Sequence, residues 1–454
     1  LEKTSTGAMP KRELSLFDST CIIVGIIIGA GIYQMAPDIA KGAGSGWGVL
    51  ALWTVGGLLS LCGALCYAEL ATAYPKEGGD YVYLSRAYGK WAGFLFGWAQ
   101  LTVVRPGDIA VMAFAFATYA RAIWDPLASH PAYSQRLYAA GAAVILTVIN
   151  ILGVREGKWT QNLLTVVKAL GLLAIVGVAV LAPQRAAAES TFDALPVSLA
   201  LIFVLFTYGG WNEMAYVAAE VKEPRRNIVR ALVLGTSAVI FLYVLVNGAF
   251  LYTLGYSGLA TSKAVARDAI ATAFPRIGGG LISALVCISA LGAVNGLIFT
   301  GARISYAMGA EHRTFRLFGK WHERTGTPAW ALLVQGVIAV SLIMVFGSFV
   351  DTLLYTAAAV YAFYLGTSLA VIVLRFKEPQ VERPYRVTGY PVTTLIFSAV
   401  CGFLIYSCVT YAWAFKRISL FVLLSVFVAG VVVYWLTDVR GLGRRTERQM
   451  RQDG

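Results

Sequence analysis

Ionisable side chains are scarce in the apolar parts of this sequence, and Arg105, Asp108 and Lys168 are the ones whose position could carry chemistry. A charge inside a long apolar run is costly unless it is paired or reaches water, so each is a functional candidate by default. Arg105 and Asp108 lie three residues apart and would share a face of an uninterrupted helix, which predicts a structural ion pair. The sharper alternative is that Asp108 meets a cationic group of a substrate; Pro106 between them bends the stretch. Catalytic chemistry has little to work with. His130, His312 and His322 fall in loops, and the six cysteines, Cys62 and Cys66 on one helix face among them, sit in apolar runs as packing residues. No disulfide framework, metal site or cofactor follows, and an enzyme is not expected.

The elements that must hold these groups are membrane helices. The chain has 454 residues, of which 58% are hydrophobic and 13% charged, and its mean hydropathy is +0.69; ordinary soluble domains are about a quarter charged. Runs near the roughly 20 residues that a helix needs to cross a bilayer recur at 19–37, 42–68, 137–154, 194–212, 231–262, 277–302, 328–350, 352–374, 387–415 and 418–437. Two more, 91–120 and 159–184, carry the internal charges, giving twelve expected spans in an all-α membrane protein. The net charge of +13 would suit a nucleic acid. Lys and Arg, however, concentrate on one set of alternate loops and on both tails, the positive-inside pattern. Both termini are therefore expected in the cytoplasm, and no nucleic-acid partner is expected. The basic stretch 440–451 adds attraction to anionic lipid.

Two spans are interrupted. Span 1 contains Gly25-Ile26-Ile27-Ile28-Gly29-Ala30-Gly31-Ile32-Tyr33, and span 6 contains Phe206-Thr207-Tyr208-Gly209-Gly210-Trp211-Asn212. Paired small residues five spans apart fit two five-helix repeats, which must be inverted because each holds an odd number of spans. The boundaries read as a tail 1–18, a first repeat 19–184, a second repeat 185–376, two added helices 377–438 and a tail 439–454. A broken helix exposes N–H groups at one half-helix start and C=O groups at the other half's end. A zwitterion fits: its carboxylate on the N–H groups of Gly29, Ala30 and Gly31, its ammonium on carbonyls near Ile27, Phe206 and Gly209. The alternative is that these glycines are only close-packing points between helices. Lys168, in span 5, can bridge carbonyls that the span 1 break sets free.

The segments GIIIGAGIY (25–33), GALCYAELATAYPKEGGDYVYL (63–84), FTYGGWNEMAYVAAEVKEPRRNIVRA (206–231), AVNGLIFTGARISYAMG (293–309) and RFKEPQVERPYRV (375–387) carry a resemblance over nearly the whole chain. The chain resembles the amino acid, polyamine and organocation superfamily, and within it the L-type amino acid transporter family. The resemblance implies a sodium-independent exchanger of amino acids in the cell membrane, with Gly29, Ala30 and Gly31 on the substrate carboxylate, Phe206 as a gate and Lys168 in the place of a coupling cation. It also implies departures. Ala30 replaces a common hydroxyl residue, and Asp108 stands where relatives more often have a small or hydroxylated one. The loop 126–136 lacks the cysteine that animal members use to link a glycoprotein partner, so no such subunit is expected. With no acid at Gly209, neutral substrates are expected first, with cationic amino acids or polyamines and proton-coupled uptake as alternatives. A channel or sensor is more distant, since no polar ring or repeated pore motif is present.

The remaining polar residues near the spans read as support. Glu213 is expected to cap the second half of span 6. Asn212 could contact substrate or cap the same half-helix, and Asn295 in span 8 could serve the site or bond between helices. Glu69, Glu220 and Arg303 are expected to form one inner gate network. Short helices are expected within 75–90, 258–275 and 311–327.

Overall fold

The computed structural model describes residues 12–452 except 77, 182–190, 272–277, 323, 347–348 and 416. The described chain is helical, with no strand beyond two isolated bridges. The first half runs α1 (Leu16–Ile27), α2 (Gly31–Gln34), α3 (Ala36–Ala43), α4 (Gly46–Ala73), α5 (Asp80–Tyr88), α6 (Lys90–Ala99), α7 (Arg105–Ile123), α8 (Pro131–Leu152) and α9 (Val154–Leu181). The second runs α10 (Val197–Thr207), α11 (Glu213–Tyr216), α12 (Pro224–Thr261), α13 (Val265–Ala271), α14 (Gly278–Glu311), α15 (Ala329–Phe346), α16 (Phe349–Lys377), α17 (Val392–Phe415) and α18 (Arg417–Gln452).

Ten helices among the described residues are long and apolar enough to cross a membrane. At the expected spans 6 and 9 stand shorter apolar helices, Val197–Thr207 and Ala329–Val345. Span 6 falls short because its break leaves neither half with enough residues to cross alone. The polarity of the bundle is that of a protein in lipid: Leu58, Phe241, Leu395 and Trp435 face outward, while Arg303, Asn295 and Asp80 are buried. Only 11% of the apolar window of α18 is buried, so this helix lies at the periphery, whereas α1, α7 and α14 form the middle.

Local sequence explains the ends that matter. Ser15 and Asp18 form a capping box at the start of α1, and Asp18 also receives Asn162 Nδ2 at 2.6 Å, tying α1 to α9. Close approach of the same pair higher up needs Gly25, where a Cβ would lie 2.1 Å from Thr165 Oγ1. The stretch 75–90 yields α5 and 258–275 yields α13. Among the described residues of 311–327 no α-helix forms beyond the last residue of α14, Glu311. After a 3₁₀ turn at Arg313–Phe315 the chain packs its backbone onto α14, where a Cβ on Gly309 would lie 2.4 Å from Gly319 N, and this contact leaves no room for a helical cylinder.

Candidate functional site

The two interruptions touch. Span 1 stops at Ile27, leaves helical geometry at Ile28 and resumes at Gly31; span 6 stops at Thr207 and resumes at Glu213. Gly210 has φ +116°, and a Cβ there would lie 2.7 Å from Ile26 Cγ2 and 3.2 Å from Ile27 N, so only glycine permits this contact. The N–H of Gly29 turns back to Ile27 O at 2.7 Å. The N–H groups of Ala30, Gly31 and Ile32, at the start of the resumed half, find no backbone acceptor among the described residues.

A cavity of about 100 Å³ opens against the breaks. Of the residues singled out in the sequence, Ile27, Gly29, Gly31, Phe206, Gly209, Asp108 and Glu213 line it. Ala30 is fully buried between Gly29 and Gly31. The carbonyl of Ile27 already accepts Tyr243 Oη at 2.8 Å as well as Gly29 N, so an ammonium there would compete with two donors. Phe206 O accepts Gly209 N at 2.9 Å and is also approached by Tyr208 N. Asn212 does not line the cavity and makes no cap; its amide lies between the hydroxyls of Tyr216 and Tyr364, each at 2.9 Å. Asn295 bonds between helices, accepting Asn150 Nδ2 at 2.8 Å and donating to Gln161 Oε1 at 3.1 Å.

The charged groups are arranged differently from the simple i, i+3 expectation. Arg105 does not pair with Asp108. Its Nη1 lies 2.9 Å from Glu213 Oε1, both side chains nearly fully buried, and Thr300 donates to the other oxygen of Glu213. Glu213 is therefore the anchor of span 6 on spans 3 and 8 and not a helix cap. The reason lies in span 3, where Gln100–Val104 form a π-helical turn ahead of Pro106. Proline lacks an N–H and crowds the carbonyl four residues back, and a widened turn relieves both. Asp108 is left facing the cavity, with no ion pair or hydrogen bond among the described residues.

Lys168 is fully buried. Its Nζ donates to Gly25 O, to Ile28 O at 2.8 Å and to Ser289 O at 3.3 Å, so one ammonium holds the carbonyls at the end of α1 against α14. Gly292 makes this possible, since a Cβ there would lie 2.7 Å from Nζ.

Glu69, Glu220 and Arg303 do not form one network. Glu220 and Arg303 pair at 2.8 Å, with Arg303 also donating to Phe299 O at 2.5 Å. Glu69 instead binds Arg375 at 2.5 Å, Arg383 at 3.5 Å and Val387 N at 2.7 Å. These partners lie some three hundred residues further along the chain, beyond the reach of local spacing. The sequence reading also missed Met112, Thr207, Tyr361 and Tyr364 in the cavity wall. Only the VYAFY run at 360–364 offered a signal, as aromatic residues one helical turn apart.

The sequence model of the amino acid permease family matches residues 14–436. The chain belongs to this family. Among its relatives, the b(0,+)-type amino acid transporter 1 of Mus musculus is 32% identical over 440 residues, covering 94% of this chain and 88% of the relative. The Homo sapiens protein of that name is 30% identical, covering 96% and 91%. The large neutral amino acids transporter small subunit 2 of Mus musculus is 32% identical, covering 95% and 82%. For an amino acid permease, Phe206 closing one side of the cavity makes a specific expectation. Phe206→Ala should lower uptake about tenfold or more, through loss of aromatic cover over the ligand, and Phe206→Tyr should retain most of it. Equal radiolabel uptake by the two variants would reduce Phe206 to packing.

Proposed function

We propose that this permease is a sodium-independent exchanger of neutral L-amino acids that works by alternating access around the touching breaks of spans 1 and 6. The observation that carries the reading is the cavity of about 100 Å³ bordered by unclaimed N–H groups at Gly31 on one side and by walls that are mostly apolar and aromatic, with Asp108 and Glu213 among them, on the other. A carboxylate suits the N–H groups and a small or medium side chain suits the walls. Lys168 supports sodium independence, because its ammonium already supplies a positive charge to the carbonyls of Gly25, Ile28 and Ser289. Twelve spans in two inverted five-helix repeats plus two, with both termini in the cytoplasm and the chain in the cell membrane, complete the proposal. No disulfide-linked subunit is included in it.

The test is counterflow. Purified protein in liposomes is expected to accumulate labelled alanine or leucine only when unlabelled amino acid is inside, and equally when sodium is replaced by choline. Net downhill flux without internal substrate, or stimulation by sodium, would overturn it. A second reading, cationic substrates, draws on the unpaired carboxylate of Asp108 at the cavity. If arginine is the better substrate, Asp108→Asn should reduce its uptake about tenfold or more while leaving leucine within about twofold, as expected for loss of one charged contact.

A further inference from the structure

A chain of hydrogen bonds leaves the cavity wall and ends on a buried carboxylate that plays no part in the site described above. Tyr364, which lines the cavity, donates its hydroxyl to Asn212 Oδ1 at 2.9 Å; Asn212 Nδ2 donates to Tyr216 Oη at 2.9 Å; Tyr216 Oη donates to Asp80 Oδ2 at 2.7 Å. The other oxygen of Asp80 accepts Tyr67 Oη and Thr367 Oγ1. Asp80 is fully buried at the start of α5, in the segment between spans 2 and 3.

The direction of every bond in this chain follows from Asp80. An ionised carboxylate only accepts, so Tyr216 must give it its proton and keep a lone pair for Asn212. That places the NH₂ of Asn212 toward Tyr216 and its carbonyl toward Tyr364. Tyr364 must then donate away from the cavity, which leaves its oxygen free to accept a proton donor inside it. Protonated Asp80 permits the opposite order. Its O–H donates to Tyr216, Tyr216 to the Asn212 carbonyl, the Asn212 NH₂ to Tyr364, and Tyr364 turns its own proton into the cavity. One proton is bound at Asp80, two hydroxyls and one amide reorient, and no covalent bond to carbon changes.

We propose that Asp80 sets the polarity of the Tyr364 hydroxyl in the substrate cavity, acting as a positioning residue through Tyr216 and Asn212. With Asp80 ionised, Tyr364 accepts from the substrate ammonium; with Asp80 neutral, it repels it. This rests on the amino acid reading for the ligand but not for the switch itself.

The surroundings suit a carboxyl that titrates. Burial pushes Asp80 up to about 6, against the three hydroxyl donors that favour its charge. No cation bonds to it among the described residues. Arg105 lies over the ring of Tyr216 at 5.5 Å and is held by Glu213. On α4, Glu69 is held by Arg375 and Arg383; on α14, Glu311 accepts Tyr81 Oη at 3.0 Å. At the far end of α5, Arg86 pairs with Glu378 while Lys377 of α16 donates to Arg86 O. Tyr83, on α5 itself, has an unpartnered hydroxyl.

The experiment has a ligand-free arm and a ligand arm. Infrared difference spectra of the purified full chain, between about pH 7.5 and about pH 5, are expected to show a protonated-carboxyl band that disappears in Asp80→Asn. A tyrosine C–O–H band should change with it, and that change should vanish in Tyr364→Phe. Tyr216→Phe keeps the carboxylate and cuts the chain, so it should retain the carboxyl band and lose the Tyr364 response, which covers the case in which Asp80→Asn fails to fold. Over the same interval, L-leucine affinity should fall about tenfold in the unmutated protein and stay flat in Tyr216→Phe. Absence of the carboxyl band, or a carboxyl band with no Tyr364 response, would overturn the proposal. A Tyr364 response in a protein that binds no amino acid would uphold the switch and sink the transport reading alone.

Discussion

Lys168→Met is expected to slow exchange about a hundredfold or more while amino acid binding, read by thermal stabilisation, changes by no more than a few-fold. The methionine keeps an unbranched stem in the space left by Gly292 and removes only the ammonium. Gly25 O and Ser289 O then lose the lysine donor, while Ile28 O keeps Ser289 Oγ at 3.1 Å. A buried acceptor left without its partner costs about 1–3 kcal/mol. That cost falls on the arrangement in which α1 is docked on α9 and α14, and not on the cavity, which Lys168 does not line. Two states whose balance shifts by that amount interconvert through a different population, and the cycle slows. An exchange rate equal to that of the unmutated protein would show that the ammonium is a passive filler.

Gly31→Val should abolish uptake while leaving folded protein in the membrane. A Cβ at this position would sit 3.2 Å from both Cγ2 and Oγ1 of Thr207, a tight approach that the threonine can yield to, so the chain still folds. The two methyl groups of valine would project where a carboxylate must come to reach the N–H groups of the resumed half-helix. Losing such charge-assisted bonds is worth about 3 kcal/mol, or about a hundredfold in affinity. Thermal stabilisation by leucine should vanish together with uptake. Retained uptake would move the carboxylate away from this end of the break.

What could be read in the sequence was what depends on short spacing or on a residue being out of place. The breaks at Gly29 and Gly209 were visible because small residues cluster inside apolar runs, and Lys168 because no apolar helix carries a lysine without cause. The partner of Arg105 was misread because the i, i+3 rule knows nothing of Glu213, which belongs to another span and reaches Arg105 only once spans 3 and 6 pack. Glu69 was grouped with Arg303 for a similar reason. Met112, Tyr361 and Tyr364 look like any lipid-span residues, since periodicity separates inside from outside but not cavity wall from packed core. Asp80 lies in the stretch 75–90, for which only a short helix is expected, and nothing local tells that Tyr67, Tyr216 and Thr367, from three separate helices, close over it.

The π-helical turn at Gln100–Val104 has a consequence for how genes of this kind can vary in length. A π turn holds about one residue more than the α turn it replaces. Deleting a single codon there would let the segment relax to a plain α-helix, without breaking the span or exposing backbone to lipid. The polypeptide before the deletion would then be turned by about 100° relative to the part after it. Phe94 and Phe96, which now pack in the core beside Tyr81 and Tyr216, would face new neighbours, while Arg105 and Asp108 would keep theirs only if α7 held its place. Such a deletion preserves hydropathy, length class and predicted topology, and a comparison of span counts would not reveal it. Insertions and deletions in this one turn should therefore be rarer than in the loops on either side, although the turn is buried in the most uniform part of the molecule.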